Sequence, residues 1–234
     1  MRQILKYVMY KPVILHIETA TEVCSVAVSQ GNKCLYIKES SEGRNHAALL
    51  SLFAEELLKA NDNLDAVAVS AGPGSYTGLR IGLSTAKGLC YGSNIPLIAV
   101  STLQTMSVGF AKQHDVFDNA LLCPMIDARR MEVYTALYNK NGNAVKNVSA
   151  EIITEKSFDS WLDERKIYFF GNGYAKCRNV ITHHNAIFIE NFYPSALNMI
   201  QPALQVYNEK LFVDTAYFEP YYLKDFIAGP NKKS

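Results

Sequence analysis

Two carboxylates stand where phosphoryl-transfer chemistry would need them. Glu18 ends an apolar strand expected over residues 13–18, and Asp127 follows another over residues 120–126. At such strand ends a carboxylate can hold magnesium or position water between two lobes, although capping and turn formation explain both residues almost as well. A glycine-rich run, Ser70-Ala71-Gly72-Pro73-Gly74-Ser75-Tyr76-Thr77-Gly78-Leu79-Arg80, lies between a buried strand and a helix. Its glycines allow sharp turns, Thr77 is placed to cap the helix, and free amides at a helix start attract anions. A phosphate loop would carry lysine after its last glycine, yet Leu79 and Arg80 follow Gly78, and neither GxGxxG nor GxSxG is matched. Two readings therefore stay open: a structural turn and cap, or a nucleotide or partner contact made by Glu18, Thr19, Gly72, Gly74, Ser75, Thr77, Arg80 and Asp127.

The helices around this run have their own signature. Gly78, Gly82, Ala86 and Cys90 recur every four residues, making one flat ridge that another backbone can approach closely. The preceding helix, residues 46–60, has an apolar arc of about 180°, where about 100° suffices for a surface helix. That excess predicts a covering partner. The expected interface is His46, Leu49, Leu50, Phe53, Leu57, Gly78, Gly82, Ala86 and Cys90, against the plainer reading of packing on the chain's own sheet. No HExxH or HxxxH occurs, and His183-His184 would point apart in a regular element, so no metal site is expected.

These residues need a scaffold of strands. The first half reads as three antiparallel strands with a Gly31-Asn32 turn, a helix, a strand over residues 65–70, a helix from 78 to 91, a strand over 97–100 and a helix over 102–113. The order βββαβα is that of a ribonuclease-H-like unit. In the second half, strands over 120–126, 132–138 and 145–153, a helix over 157–164 and strands over 167–170 and 186–189 repeat part of that plan. The expected division is a first lobe of residues 1–105, with 215–234 packing back on it, and a reduced second lobe of 106–214. With 234 residues, 49% of them hydrophobic, the chain is large enough for a real core, and its net charge of +1 excludes binding nucleic acid by bulk charge alone. Five scattered cysteines without a CxxC pair, no apolar run of about 18 residues and no signal-type amino terminus predict a cytoplasmic chain without disulfides or a membrane span.

Taken together, the motifs carry a resemblance. Ile14-Leu15-His16-Ile17-Glu18-Thr19-Ala20-Thr21, Arg44-Asn45-His46 before a leucine-rich helix, Gly72 to Gly82, Asp127-Ala128-Arg129-Arg130 with Glu132-Val133-Tyr134, and Glu219-Pro220-Tyr221-Tyr222-Leu223 resemble the TsaB (YeaZ-type) family in order and spacing. Glu18 departs from the family's usual Asp, and Ala47 from its frequent Ser, which weakens any claim of ATP turnover. Residues 1–11 are extra to the pattern. The resemblance implies an α/β, actin-like and Hsp70-like ATPase (ASKHA) fold of two ribonuclease-H-like lobes. It also implies a non-catalytic subunit that dimerises with the catalytic TsaD for transfer of threonylcarbamoyl from threonylcarbamoyl-AMP to N6 of the adenosine beside the anticodon. The tRNAs concerned read codons beginning with A. TsaE, a P-loop ATPase, joins the assembly and TsaC supplies the intermediate. ATP or ADP and metal belong to those partners, no cofactor is required by this chain, and in isolation a homodimer forms. An independent actin-like ATPase or phosphotransferase using Glu18, Asp127 and the glycine-rich loop is the alternative; a metallopeptidase lacks its histidine pair.

Overall fold

The computed structural model describes residues 10–43, 45–61 and 63–223; Arg44, most of the extra amino-terminal stretch and the terminal 231–234 tail lie outside them. Strand β1 (Val13–Glu18) runs antiparallel to β2 (Cys24–Gln30), with Ile17 opposite Val26, and parallel to β4 (Ala66–Ser70). With β3 (Lys33–Ser40) and β5 (Leu97–Val100) at the edges, the order is β3-β2-β1-β4-β5. The two-residue period of a strand divides its side chains between two covers. Leu15 and Ile17 join Leu50 and Leu57 of α1 (His46–Ala60) and Leu83 and Ala86 of α2 (Tyr76–Ser93). On the other face, Ile14 joins Met199 and Ala203 of α6 (Ala196–Asn208).

The second sheet, β10-β9-β6-β7-β8, combines β6 (Leu121–Asp127), β7 (Glu132–Tyr138), β8 (Ala144–Ile152), β9 (Ile167–Phe170) and β10 (Ala186–Phe188). Its strands pair antiparallel and parallel in the same sequence as the first sheet's, so the duplication hinted at by Glu18 and Asp127 extends to whole topology. Helix α3 (Thr102–Gln113) covers one face through Leu103, Met106 and Phe110. Opposite it the cover is thin, because α4 (Asp159–Leu162) and α5 (Tyr174–Cys177) are single turns.

Three expectations change. Helix α2 starts at Tyr76, and its cap is Ser75, whose Oγ accepts from the Gly78 amide at 3.2 Å; Thr77 lies inside the helix. Ser75→Ala should therefore cost about 1 kcal/mol, lowering the melting temperature by roughly 2–4 °C in a thermal-denaturation scan. The helix expected over 157–164 shrinks to α4. Helix α6 was not anticipated, since Pro202 within it reads as a breaker; Ser195 caps it, and it packs on the first sheet. The expected second-lobe boundary at 214 therefore fails: the chain returns to the first lobe by Ala196.

Three hairpins bend the chain through left-handed backbone. In β2–β3 and β7–β8 the positive φ falls on glycine, Gly31 at 56° and Gly142 at 80°. Between β6 and β7 it falls on Arg129 at 69° and Arg130 at 48°, a conformation that costs a residue with a Cβ about 1–2 kcal/mol.

Candidate functional site

The carboxylates at the cleft are already engaged. Glu18 is fully buried: its Oε1 accepts from the Ala20 amide at 2.7 Å, its Oε2 has no partner, and burial pushes its pKa up to about 7. Asp127 is exposed, but its Oδ1 accepts from Lys176 Nζ and from the Arg129 amide at 2.9 Å. Lys176 donates also to the Glu132 carbonyl at 2.6 Å. Asn172 ties the lobes together, accepting from the Asp127 amide at 2.9 Å through Oδ1 and donating to Glu22 Oε2 at 2.8 Å. Glu22, Asn172 and Lys176 were missed from sequence; the Gly171-Asn172-Gly173 turn after an apolar strand was the one available signal.

A nucleotide–metal complex does not fit these groups. A carboxylate that holds magnesium must be open to the cleft, whereas Glu18 is enclosed with no exposed surface. Asp127 is neutralised by Lys176, and Glu22 reaches across with a negative charge of its own. Among the described residues no three His, Cys, Asp or Glu side chains are grouped to hold a metal ion. His183 and His184 do not diverge as expected; they lie in a loop with rings stacked 4.4 Å apart.

The glycine-rich run serves close packing. A Cβ on Gly78 would sit 2.1 Å from the Thr19 carbonyl oxygen, and one on Gly82 would sit 2.3 Å from Thr19 Oγ1, which itself donates to the Gly78 carbonyl at 2.8 Å. Beside them the Ser75 amide donates to the Ala20 carbonyl at 2.7 Å, so Gly74 and Ser75 are pressed on the β1–β2 turn. From outside, residues 213–222 strap the run down. Val213 pairs with Leu97, the Tyr221 amide donates to the Ala71 carbonyl at 2.7 Å beside Gly72, and Arg80 Nε donates to the Tyr222 hydroxyl at 3.3 Å. The Arg80 guanidinium also lies 4.3 Å from the Tyr76 ring centre. Thr77 stays exposed. Glu18, Thr19, Gly72, Gly74, Ser75 and Arg80 thus come together, held by one another and by the chain's own end, while Asp127 stands on the other lobe.

The expected interface is mostly interior. Leu50, Leu57, Gly78, Gly82, Ala86 and Cys90 are buried in their own lobe, because the small-residue ridge faces β1 and lets α2 settle onto Thr19. His46 is half-buried, its Nε2 on the Thr21 carbonyl at 2.9 Å, and Leu49 and Phe53 are partly covered by the core. The surface between the two helices is lined by a different set, of which Ala54 is itself buried. Ser51, Ala54, Glu55, Leu58 and Lys59 of α1, with Thr85 and Leu89 of α2, line an apolar groove of about 510 Å³. Leu52 is 49% exposed beside it, and a Cβ on Gly88 would meet no atom within 4 Å.

Comparison with known proteins gives this geometry a context. A family model described as TsaD, tRNA N6-adenosine threonylcarbamoyltransferase, matches residues 39–228. The chain is 29% identical to the tRNA threonylcarbamoyladenosine biosynthesis protein TsaB of Escherichia coli (strain K12), over 92% of this chain and 96% of that protein. It is 28% identical to the protein of the same description from Haemophilus influenzae, over 92% and 94%. A solved structure of YeaZ from Pseudomonas aeruginosa superposes with a TM-score of 0.76 at 26% identity, covering 90% of this chain and all (100%) of that one. The α/β fold, with its two mixed five-stranded sheets, is that of the solved YeaZ structure. No helix among the described residues is long and apolar enough to cross a membrane.

Proposed function

The chain belongs to the TsaB (YeaZ-type) family, and from that membership we propose that it is a non-catalytic subunit in the synthesis of threonylcarbamoyladenosine on tRNA. It pairs with a TsaD-type catalytic subunit, which transfers threonylcarbamoyl from threonylcarbamoyl-AMP to N6 of the adenosine beside the anticodon. The observation that carries the reading is a cleft whose carboxylates are either buried, as Glu18 is, or occupied by the chain's own groups, as Asp127 and Glu22 are, so that chemistry belongs to a partner. The α1–α2 groove supplies a place for that partner: Leu58 and Leu89 offer apolar contact, and Glu55 and Lys59 form a polar rim. In isolation the same face takes a second copy of the chain. Nucleotide and metal belong to the TsaD-type and TsaE-type partners, TsaC-type enzymes supply the intermediate, and tRNA is the substrate of the assembly.

Reconstituted threonylcarbamoyl transfer to a tRNA transcript, with and without this chain, tests the reading. Product should form only when the chain is present. Gly88→Glu places a charge on the outer face of α2 without touching the chain's own lobe. It should weaken pairing by about 30-fold, the size of a hot-spot loss, in size-exclusion chromatography, with melting slightly raised by the loss of a helix glycine. Transfer that proceeds equally without the chain would end the proposal. So would ATP hydrolysis by the purified chain that Asp127→Ala abolishes, since that result favours the independent ATPase.

A further inference from the structure

The β6–β7 turn carries a feature that neither fold nor pairing uses. The other two hairpin turns place glycine at positive φ, but this one places Arg129 and Arg130 there, in succession. A strained conformation retained by side chains that a glycine would relieve points to work done by the side chains. Both residues are exposed, and among the described residues neither guanidinium has a hydrogen-bond or ion-pair partner. By contrast, Arg80 is held by Tyr222, Arg165 by Glu164 and Arg178 by Glu190, so these two are the unpaired arginines among the described residues. The adjacent Asp127 does not neutralise them. Its carboxylate is taken by Lys176 and by the Arg129 amide, which leaves two uncompensated positive charges at the tip.

We infer that the Arg129–Arg130 turn is a contact for phosphate groups of the RNA backbone; the inference rests on the reading of this chain as a subunit acting on tRNA. Guanidinium forks match phosphate oxygens bidentately, and consecutive arginines can meet successive phosphates of one strand. A free nucleotide is a poorer occupant. It needs a concave site for its base and sugar, and beside this turn the cleft is bridged by Glu22 and Asn172. An RNA backbone asks for no pocket. The near-neutral chain, at +1 overall, would then hold tRNA through this local contact and not through bulk charge.

The test measures binding of a fluorescent tRNA transcript by anisotropy at stepped KCl concentrations, for the full chain alone and for its complex with the catalytic subunit. Arg129→Gln with Arg130→Gln should lower affinity about tenfold and flatten the log-affinity against log-salt slope by roughly 1.4 to 1.8, the value for two lost phosphate contacts. Arg129→Asn with Arg130→Gly should lose as much binding yet raise the melting temperature, because it relieves the turn. Unchanged affinity and slope in both variants would overturn the inference. Loss of binding to ATP in place of tRNA would reassign the turn to a nucleotide, and loss of pairing with tRNA binding intact would reassign it to a protein contact; either overturns it. Pairing is read separately by size-exclusion chromatography, so failure of the subunit reading shows there, while tRNA binding by the chain alone still decides the turn.

Discussion

Gly78→Ala is expected to lower the melting temperature by roughly 6–12 °C, corresponding to about 3 kcal/mol, while Gly88→Ala, ten residues along the same helix, raises it slightly. The new methyl at position 78 would lie 2.1 Å from the Thr19 carbonyl oxygen, a backbone atom that no rotamer change can move. Relief requires α2 to lift from β1. That movement would also break the Thr19 hydroxyl bond to the Gly78 carbonyl and loosen the Ser75 contact with Ala20. At Gly88 nothing lies within 4 Å of an added Cβ, so alanine brings only its better helix propensity, worth about 0.5–1 kcal/mol. Thermal denaturation of both variants, followed by circular dichroism, checks the pair. Equal effects at the two positions would mean that the ridge does not set the distance between helix and sheet. For the same reason Gly82→Leu cannot probe partner binding, since its Cβ alone would meet Thr19 Oγ1 at 2.3 Å.

The second large effect is on stability against pH, and two neighbours on β1 set it with opposite signs. His16 is fully buried with Nε2 on Ser29 Oγ at 2.8 Å and no partner for Nδ1; burial pulls its pKa from 6.5 down to about 3. The unfolded chain therefore binds the extra proton, and the contribution of His16 to stability rises with pH between about 3 and 6.5. Glu18 behaves oppositely. Its folded pKa of about 7 lies above the ordinary 4.5, so the folded state keeps the proton, and the contribution is full below 4.5 and lost as pH rises through 7. From the pair, stability should climb up to pH 4.5, stay nearly level to 6.5, then fall toward 7. The Glu18 part amounts to about 3 kcal/mol, present below pH 4.5 and gone at alkaline pH. Glu18→Gln cannot ionise, so its stability should keep climbing to about pH 6.5 and show no later fall. Urea midpoints across this range measure it, and a variant that tracks the wild-type curve would refute the assignment to Glu18.

Much of the fold was legible because strands announce themselves. Val13–Glu18, Leu97–Val100 and Ile167–Phe170 have their observed limits in the pattern of apolar runs and turn residues alone. Helix α6 escaped because Pro202 reads as a break, while its place in the first lobe depends on Met199 and Ala203 meeting Ile14 and Ala68 from a distant part of the chain. The candidate site was legible only in part. Glu18 and Asp127 could be picked out as carboxylates at strand ends, but Asn172 and Lys176, which occupy Asp127 and its amide, come from the stretch after β9, 45 and 49 residues on.

Residue types and their period could be read along the chain: two hairpins whose first strands end on carboxylates, a helix with a wide apolar arc, and a ridge of small residues on the next. The direction of each face followed from packing alone. The ridge turned inward, because small side chains let α2 lie against Thr19, and the surface left for a partner became the groove at Leu58 and Leu89. Periodicity reports that a face is apolar or small; what covers it is set by long-range packing between elements, and that information lies in no local stretch of chain.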